Sequence, residues 1–481
     1  MSLKPTRAGR RFTIAPSSNP RIWRRKFAST SGSTGALPLS GVRVLELGQL
    51  IAGPFAGQLL AHYGAEVIKI EPPKTGDPLR VWRELDVDGT SPWWRSIGRN
   101  KKSVTVDMRK QEGQDLVRKL ALKSDVIIEN FKPGTLEKWS LGPASLHPHN
   151  PSLIFTRVSG YGQTGPWASR PGYASVCEAE SGFRYINGFP NENGTLDGPP
   201  VRPNMSLGDS VAGLHAAFGT VLALLQRGKC GKGQTVDVSI MESMLNLMEG
   251  IIPEYDRKGK IRGPSGSSLT GIVPTNAYPC LPSPSAPSSP TYIIIGANGD
   301  SIYARLMHAM GRSDLLGTDF QHNHHRVARQ AEIEKAISDW TSRRSVEEVE
   351  AALKEAGVPT GRVNNVKEIV ENEQVRERGF VEEVWVDGRR SRSKAGDKEE
   401  EPWIHEDGVE MKVTASADAE SGWYVKMPKV VPVLEGSDAR TRWAGPQLGE
   451  HNEEVLVGEL GLSWEELECL RNDGVVGAES P

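Results

Sequence analysis

The chain has 481 residues, room for two or three domains of ordinary size. Apolar residues at 37% and 51 glycines match a globular protein with a sizeable core. Charge is balanced, 58 Lys+Arg against 60 Asp+Glu, which excludes a broadly basic nucleic-acid coat, so no nucleic-acid partner is expected. No run approaches the ~18 uninterrupted apolar residues of a membrane span, so no membrane partner is expected either. Cys177, Cys230, Cys280 and Cys469 lie far apart without a CxxC pair. Neither a disulfide framework nor a structural zinc site is expected from that spacing, and a reducing compartment fits.

The chain opens on a segment without Asp or Glu before Glu46, yet with Lys4, Arg7, Arg10, Arg11, Arg21, Arg24, Arg25 and Lys26 among serines. Such a start has the chemistry of an organelle import signal. Residues 1–38 are therefore expected to be a transit peptide or disordered tail, and the mature protein to lie in the mitochondrial matrix. Arg25-Lys26-Phe27-Ala28-Ser29 resembles a processing site.

From Val42 the pattern becomes strand, loop, helix, strand. Val42–Leu47 alternates at period two, Phe55–Tyr63 reads as a short helix between Pro54 and Gly64, and Ala65–Ile70 is the next strand. Ser103–Met108, Asp125–Phe131 and Ser152–Ser159 follow as β-rich runs, with a helix over Lys110–Leu122. Strands alternating with helices imply an α/β fold with a largely parallel, doubly wound sheet. Asp209–Gln226 is apolar nearly all round and reads as a core helix. Later come two strands around Tyr278–Cys280 and Tyr292–Gly296, joined by a Pro/Ser run at 282–290. Helices follow over Ser301–Met310, Ala331–Trp340 and Ser345–Ala356, the last opened by a Ser345…Glu348 capping box. Arg389–Pro402 is a charge run that reads as a surface insertion, and Ser463…Glu466 opens a final capped helix.

Several motifs invite chemistry. Gly160-Tyr161-Gly162-Gln163-Thr164-Gly165 fits a dinucleotide fingerprint, but Pro166 and Arg170-Pro171-Gly172 break the helix that the fingerprint needs. His322, His324 and His325 stand in a polar stretch without evident acidic company and read as a solvated loop, not a metal site; His147 and His149, between prolines, read the same way. Asp209, in Ser206-Leu207-Gly208-Asp209-Ser210, reads first as an N-cap or first-turn acid. Glycine-rich loops at 48–54, 130–134 and 159–166 stand at strand ends, where a doubly wound sheet opens its ligand crevice. Arg109, Lys132 and Lys138 near them form a candidate polyphosphate-binding set, with scattered surface charge as the plainer reading.

Taken in order, the segments 39–80, 99–113, 124–142, 150–174, 206–219, 232–247 and 445–462 resemble the family III (CaiB/BaiF-type) CoA-transferases. The likeness runs collinearly over about 39–475. It implies an interlocked homodimer, each subunit with a Rossmann-like large domain and a smaller α+β domain threaded through its partner. On that likeness residues 39–250 form the first part of the large CoA-binding domain. Residues 251–375 form a linker and the small domain, and 376–481 return to the large domain with the charged insertion at 389–402. The same likeness makes Asp209 the catalytic nucleophile. It lays Arg109, Asn130, Phe131, Lys132 and Lys138 along the nucleotide and phosphates of CoA, Ile51 and Ala52 near the thioester arm, and Tyr161 near the reacting centre. It implies no tightly bound cofactor and no metal, with a CoA thioester as substrate and a small dicarboxylic or hydroxydicarboxylic acid as acceptor. Succinyl-CoA is the expected donor, and Arg80, Arg157 and Arg202 are candidate anchors for the acid. The related α-methylacyl-CoA racemases are similar in placing a His-Asp pair where this chain has Tyr173-Ala174, which lacks a ready proton shuttle. A CoA-binding protein without catalysis is the other alternative. Ala174 and Glu178 depart from the Asp and Gln common in the transferases.

Overall fold

A computed structural model describes residues 37–282, 291–388 and 422–477. The expected import signal up to residue 36, most of the Pro/Ser run and the charged run at 389–402 lie outside the described residues. The large sheet holds β1 (Arg43–Glu46), β2 (Glu66–Glu71), β3 (Lys101–Thr105), β4 (Val126–Glu129), β5 (Ile154–Ser159) and β6 (Thr235–Ser239), in the order β3-β2-β1-β4-β5-β6. Every pairing is parallel. Parallel strands need both faces covered, and the period of two supplies two cores. Val44, Val67, Val126 and Ile154 bury one face under helix α1 (Ala52–His62) and the Leu207–Cys230 helix. Leu45, Ile68, Ile127 and Phe155 bury the other with Leu116 and Leu120 of the Gln111–Leu122 helix. The strand order reverses between β1 and β4, so the loops leaving their carboxyl ends diverge and open a crevice.

Two helices differ from their sequence expectation. α1 starts at Ala52, three residues early, with Pro54 inside its first turn; the missing N–H of proline costs nothing there, because first-turn amides have no intrahelical acceptor. The Leu207–Cys230 helix is not enclosed as a core helix. Ala212, Gly213, Ala216, Ala217, Thr220 and Ala223 are buried, while Leu214, Phe218, Leu222 and Leu225 are exposed along the opposite side. Small residues let the helix sit close: a Cβ on Gly213 would lie 2.7 Å from the Ala52 carbonyl oxygen. Length and composition alone would let this helix cross a membrane, which the search for unbroken apolar runs missed. Its small-residue side packs instead on α1 and β5.

A second unit is built on an antiparallel sheet of β7 (Thr275–Cys280), β8 (Thr291–Gly296) and β9 (Thr360–Arg362). Tyr278, Ile293, Ile295, Leu306, Ile337 and Leu353 form its own core with the Asp300–Met310, Gln330–Thr341 and Val346–Glu355 helices. The capping box at Ser345 and Glu348 is present in both directions, as is that at Ser463 and Glu466. β10 (Val381–Asp387) pairs antiparallel with β11 (Gly422–Pro428). Beyond it Val455, Leu456, Leu467, Val475 and Val476 rejoin the core that holds Leu45.

Candidate active site

The loop after β1 rests on a buried charge network. Lys69 Nζ lies 3.0 Å from Glu46 and 2.9 Å from Asp77 and donates to the Gly48 carbonyl at 2.7 Å. Lys101 Nζ lies 2.8 Å from Glu46 and donates to the Pro54 carbonyl at 2.7 Å. Asp77 accepts the Leu50 N–H at 3.1 Å with both oxygens, holding Leu50 at φ +65°, a left-handed conformation that needs such support. Burial pulls Lys101 down to about 8 against the pull of Glu46. Glu46 stays low because Lys101 and Lys69 outweigh its burial.

Asp209 stands in the first turn of the Leu207–Cys230 helix. Its carboxylate makes no hydrogen bond with any described residue. Burial, and then the Glu178 carboxylate beside it, push its carboxyl up to about 6, against the opposing charge of Arg202. Glu178 comes from the Ala174–Glu180 helix, is 0% exposed, and accepts the Gly208 N–H at 3.1 Å. Arg184 lies 2.8 Å from its other oxygen. Glu180, on the same short helix, accepts from the Tyr161 hydroxyl and pairs with Arg170 at 3.0 Å. The bond to Glu180 raises the Tyr161 hydroxyl to about 12. Tyr161 is thus a neutral, oriented ring at neutral pH and not a proton shuttle.

The other expected site residues divide into two groups. Ile51 and Ala52 are buried at the start of α1, with Ala52 against Gly213, one turn beyond Asp209. Asn130, expected on the nucleotide, spends its amide on the protein: it accepts the Gln49 N–H and donates to the Gln49 carbonyl, both at 2.8 Å. It clamps the loop after β1 to the loop after β4. Phe131 packs edge-on against Trp139 at 5.5 Å. Lys132 and Lys138 are exposed on the β4 loop and the short helix after it, with no ion pair among the described residues. Arg109 follows β3, two strands from β1; its side chain is 81% exposed and pairs with Asp107 at 2.8 Å.

Of the candidate anchors, two are already occupied. Arg80 is buried, 2.7 Å from Glu71 and stacked 3.9 Å over Trp94. Arg157 is buried between Glu129 at 2.6 Å and Glu137 at 2.7 Å. Arg202 has no acidic partner among the described residues and donates only to the Pro203 and Met205 carbonyls, at 3.2 and 3.0 Å. The histidine expectation needs correction. His322, His324 and His325 lie at the start of the Asn323–Ala328 helix, and His322 has acidic company in Asp300 at 2.9 Å; among the described residues no group of three or more His, Cys, Asp or Glu is placed to hold a metal ion. The glycines of 160–165 stay in a loop, with Gly162 and Gly165 at positive φ, and the next described helix begins only at Ala174. Sequence reading missed the Glu46–Lys69–Lys101–Asp77 network, although Glu46 and Lys69 in otherwise apolar strands were a signal. It also missed Glu180.

Comparison with known proteins fits this architecture. The model of CoA-transferase family III matches residues 39–396, and the chain belongs to that family. A succinyl-CoA–D-citramalate CoA-transferase of Chloroflexus aurantiacus is 41% identical over 91% of this chain and 98% of its own length. The human succinyl-CoA:glutarate CoA-transferase is 33% identical over 72% of this chain and 76% of its own. Among solved structures, a CAIB/BAIF family protein from Brucella suis superimposes with TM-score 0.69 at 28% identity, covering 88% of this chain and 99% of that one. The protein is an enzyme, a family III CoA-transferase.

Proposed function

We propose that this chain moves CoA from succinyl-CoA to a small dicarboxylic or hydroxydicarboxylic acid, with Asp209 as the covalent carrier. The observation that carries the reading is a half-buried carboxylate with no hydrogen-bond partner among the described residues, raised to about 6, at the crevice end of a parallel sheet. At neutral pH it is mostly ionised, yet more basic than an ordinary aspartate, which suits a nucleophile. The named relatives act between succinyl-CoA and citramalate, malate or glutarate, all dicarboxylic acids.

Asp209 attacks the donor thioester carbonyl, the C–S bond breaks, and a mixed anhydride forms with release of CoA thiolate. The thiolate attacks the aspartyl carbonyl, giving an aspartyl-CoA thioester and free succinate. The acceptor carboxylate attacks that thioester, the thiolate leaves again, and it then takes the acceptor acyl group from the second anhydride, restoring Asp209. No water and no net proton is consumed, so the site must stay dry, since water would hydrolyse the anhydrides. The positive end of the Asp209 helix favours the oxyanions that form beside it. Lys132 and Lys138, exposed and without acidic partners among the described residues, supply charge for the CoA phosphates, with Arg109 further along the sheet. Arg202 is the cation left to hold the free carboxylate of the succinyl group and then that of the acceptor. The uncovered stripe of Leu214, Phe218, Leu222 and Leu225 is the contact for a second copy in an interlocked homodimer, and the acid-free leader sends the protein to the mitochondrial matrix. Racemisation finds no support, because Tyr173 is 74% exposed and Ala174 is a buried methyl group.

The test is Asp209→Asn, assayed with succinyl-CoA and a panel of acids by mass spectrometry. The variant should lose ~10³-fold or more in kcat and should no longer yield an aspartyl adduct when hydroxylamine quenches turnover. Full transfer by Asp209→Asn would end the assignment.

A further inference from the structure

We propose that Glu178 is a positioning residue acting through Asp209, pinning the first turn of its helix and keeping a negative charge beside the acyl-carrying carboxylate. This rests on the reading of Asp209 as the carrier. The geometry is that of a cap supplied from another helix. Ser206 stands at the N-cap position and makes no side-chain cap bond; the acceptor for the Gly208 N–H is instead the Glu178 carboxylate at 3.1 Å. The helix start is also tightly packed. A Cβ on Gly208 would lie 3.2 Å from Ile240 and 3.3 Å from both Ala174 and Glu178, so the residue that carries Asp209 has little freedom.

A fully buried carboxylate is costly unless it is paired, and Arg184 provides the pairing through Nε at 2.9 Å and a terminal nitrogen at 2.8 Å. Capping alone does not require charge, because a glutamine oxygen would accept the same N–H. The charge does something further. Asp209 faces Glu178 and the neighbouring Cys177 thiol from one helix, and Arg202 from the loop before its own helix. Arg184 stands behind Glu178, and Tyr161 with Glu180 closes the other side of that helix. After burial, Glu178 is the main influence that raises the proton affinity of Asp209, and Arg202 opposes it. A more basic carboxylate attacks a thioester faster, by the Brønsted dependence of nucleophiles on basicity.

Glu178→Gln separates the two roles, because it retains the cap acceptor and removes the charge. The acid limb of kcat should move to lower pH by about one unit, and plateau kcat should fall about threefold, with KM for the CoA thioester unchanged. The pH dependence of carbodiimide coupling at Asp209, read by peptide mass spectrometry, should shift by the same amount. That second readout does not depend on turnover, so failed transfer by the native enzyme would overturn the CoA-transfer reading and leave this inference still measurable. The double variant Glu178→Gln/Arg184→Leu removes the guanidinium left unpaired, and the same shift is expected there should the single variant fold poorly. An unmoved acid limb and an unmoved coupling profile in a folded variant would reduce Glu178 to a structural cap and overturn the proposal.

Discussion

Two of the buried charge clusters at the crevice end of this protein are handled in opposite ways. Under the loop after β1, Glu46, Lys69, Lys101 and Asp77 are matched acid to base, and the spare valences of both lysines go to the Gly48 and Pro54 carbonyls. At the start of the Leu207–Cys230 helix the Glu178–Arg184 pair is complete, yet the Asp209 carboxylate beside it has no hydrogen bond among the described residues. The first cluster fixes the backbone; the second leaves one carboxylate poised. A network whose charges pair with one another has little to offer a substrate, whereas the Asp209 carboxylate, with no bond to a described residue, stays open to one.

The comparison breaks most sharply by removing a matched charge. Glu46→Gln leaves Lys101 and Lys69 facing each other, and unfolding in denaturant should show a loss of about 3–5 kcal/mol. A loss near zero would mean that the network does not hold the loop. Removing the unmatched charge should do the reverse. The Asp209 pKa is higher folded than unfolded, so between the two values the folded state binds more protons and its stability falls as pH rises. Asp209→Asn should therefore be more stable than the native chain at pH 7, with the gain gone below about pH 4, where both forms are neutral. Thermal unfolding at the two pH values decides it, and an equal gain at both would point to packing instead of charge. The smallest effect concerns the rim. Lys132→Ala and Lys138→Ala should each raise KM for the CoA thioester by less than about tenfold, and the difference should shrink in high salt. No change at low salt would remove these lysines from the phosphate path.

Much of the fold was legible because its signals are local. The alternation of Val44 and Leu45 across the sheet, the Ser345 and Ser463 caps, and the β7–β8 hairpin follow from side-chain period and backbone hydrogen-bonding rules that a short window contains. The site was less legible. Asn130 was expected along the CoA nucleotide, and its bonds to Gln49, 81 residues away, were not foreseen. Arg80 and Arg157 were candidate anchors for the acid, and both pair with acids from neighbouring strands and a short helix. Which charges cancel depends on strand order, and strand order is not a local property.

The amino-acid sequence by itself determined the alternation of strands and helices, the family to which the chain belongs and the candidacy of Asp209, because periodicity and collinear motifs survive in one dimension. Tertiary structure alone decided that Glu178 caps the Asp209 helix, that Arg202 among the three candidate arginines has no acidic partner among the described residues, and that Leu214 and Phe218 face outward. Each of those outcomes depends on distances between segments far apart in the chain, and electrostatic pairing and burial are functions of distance, not of sequence spacing.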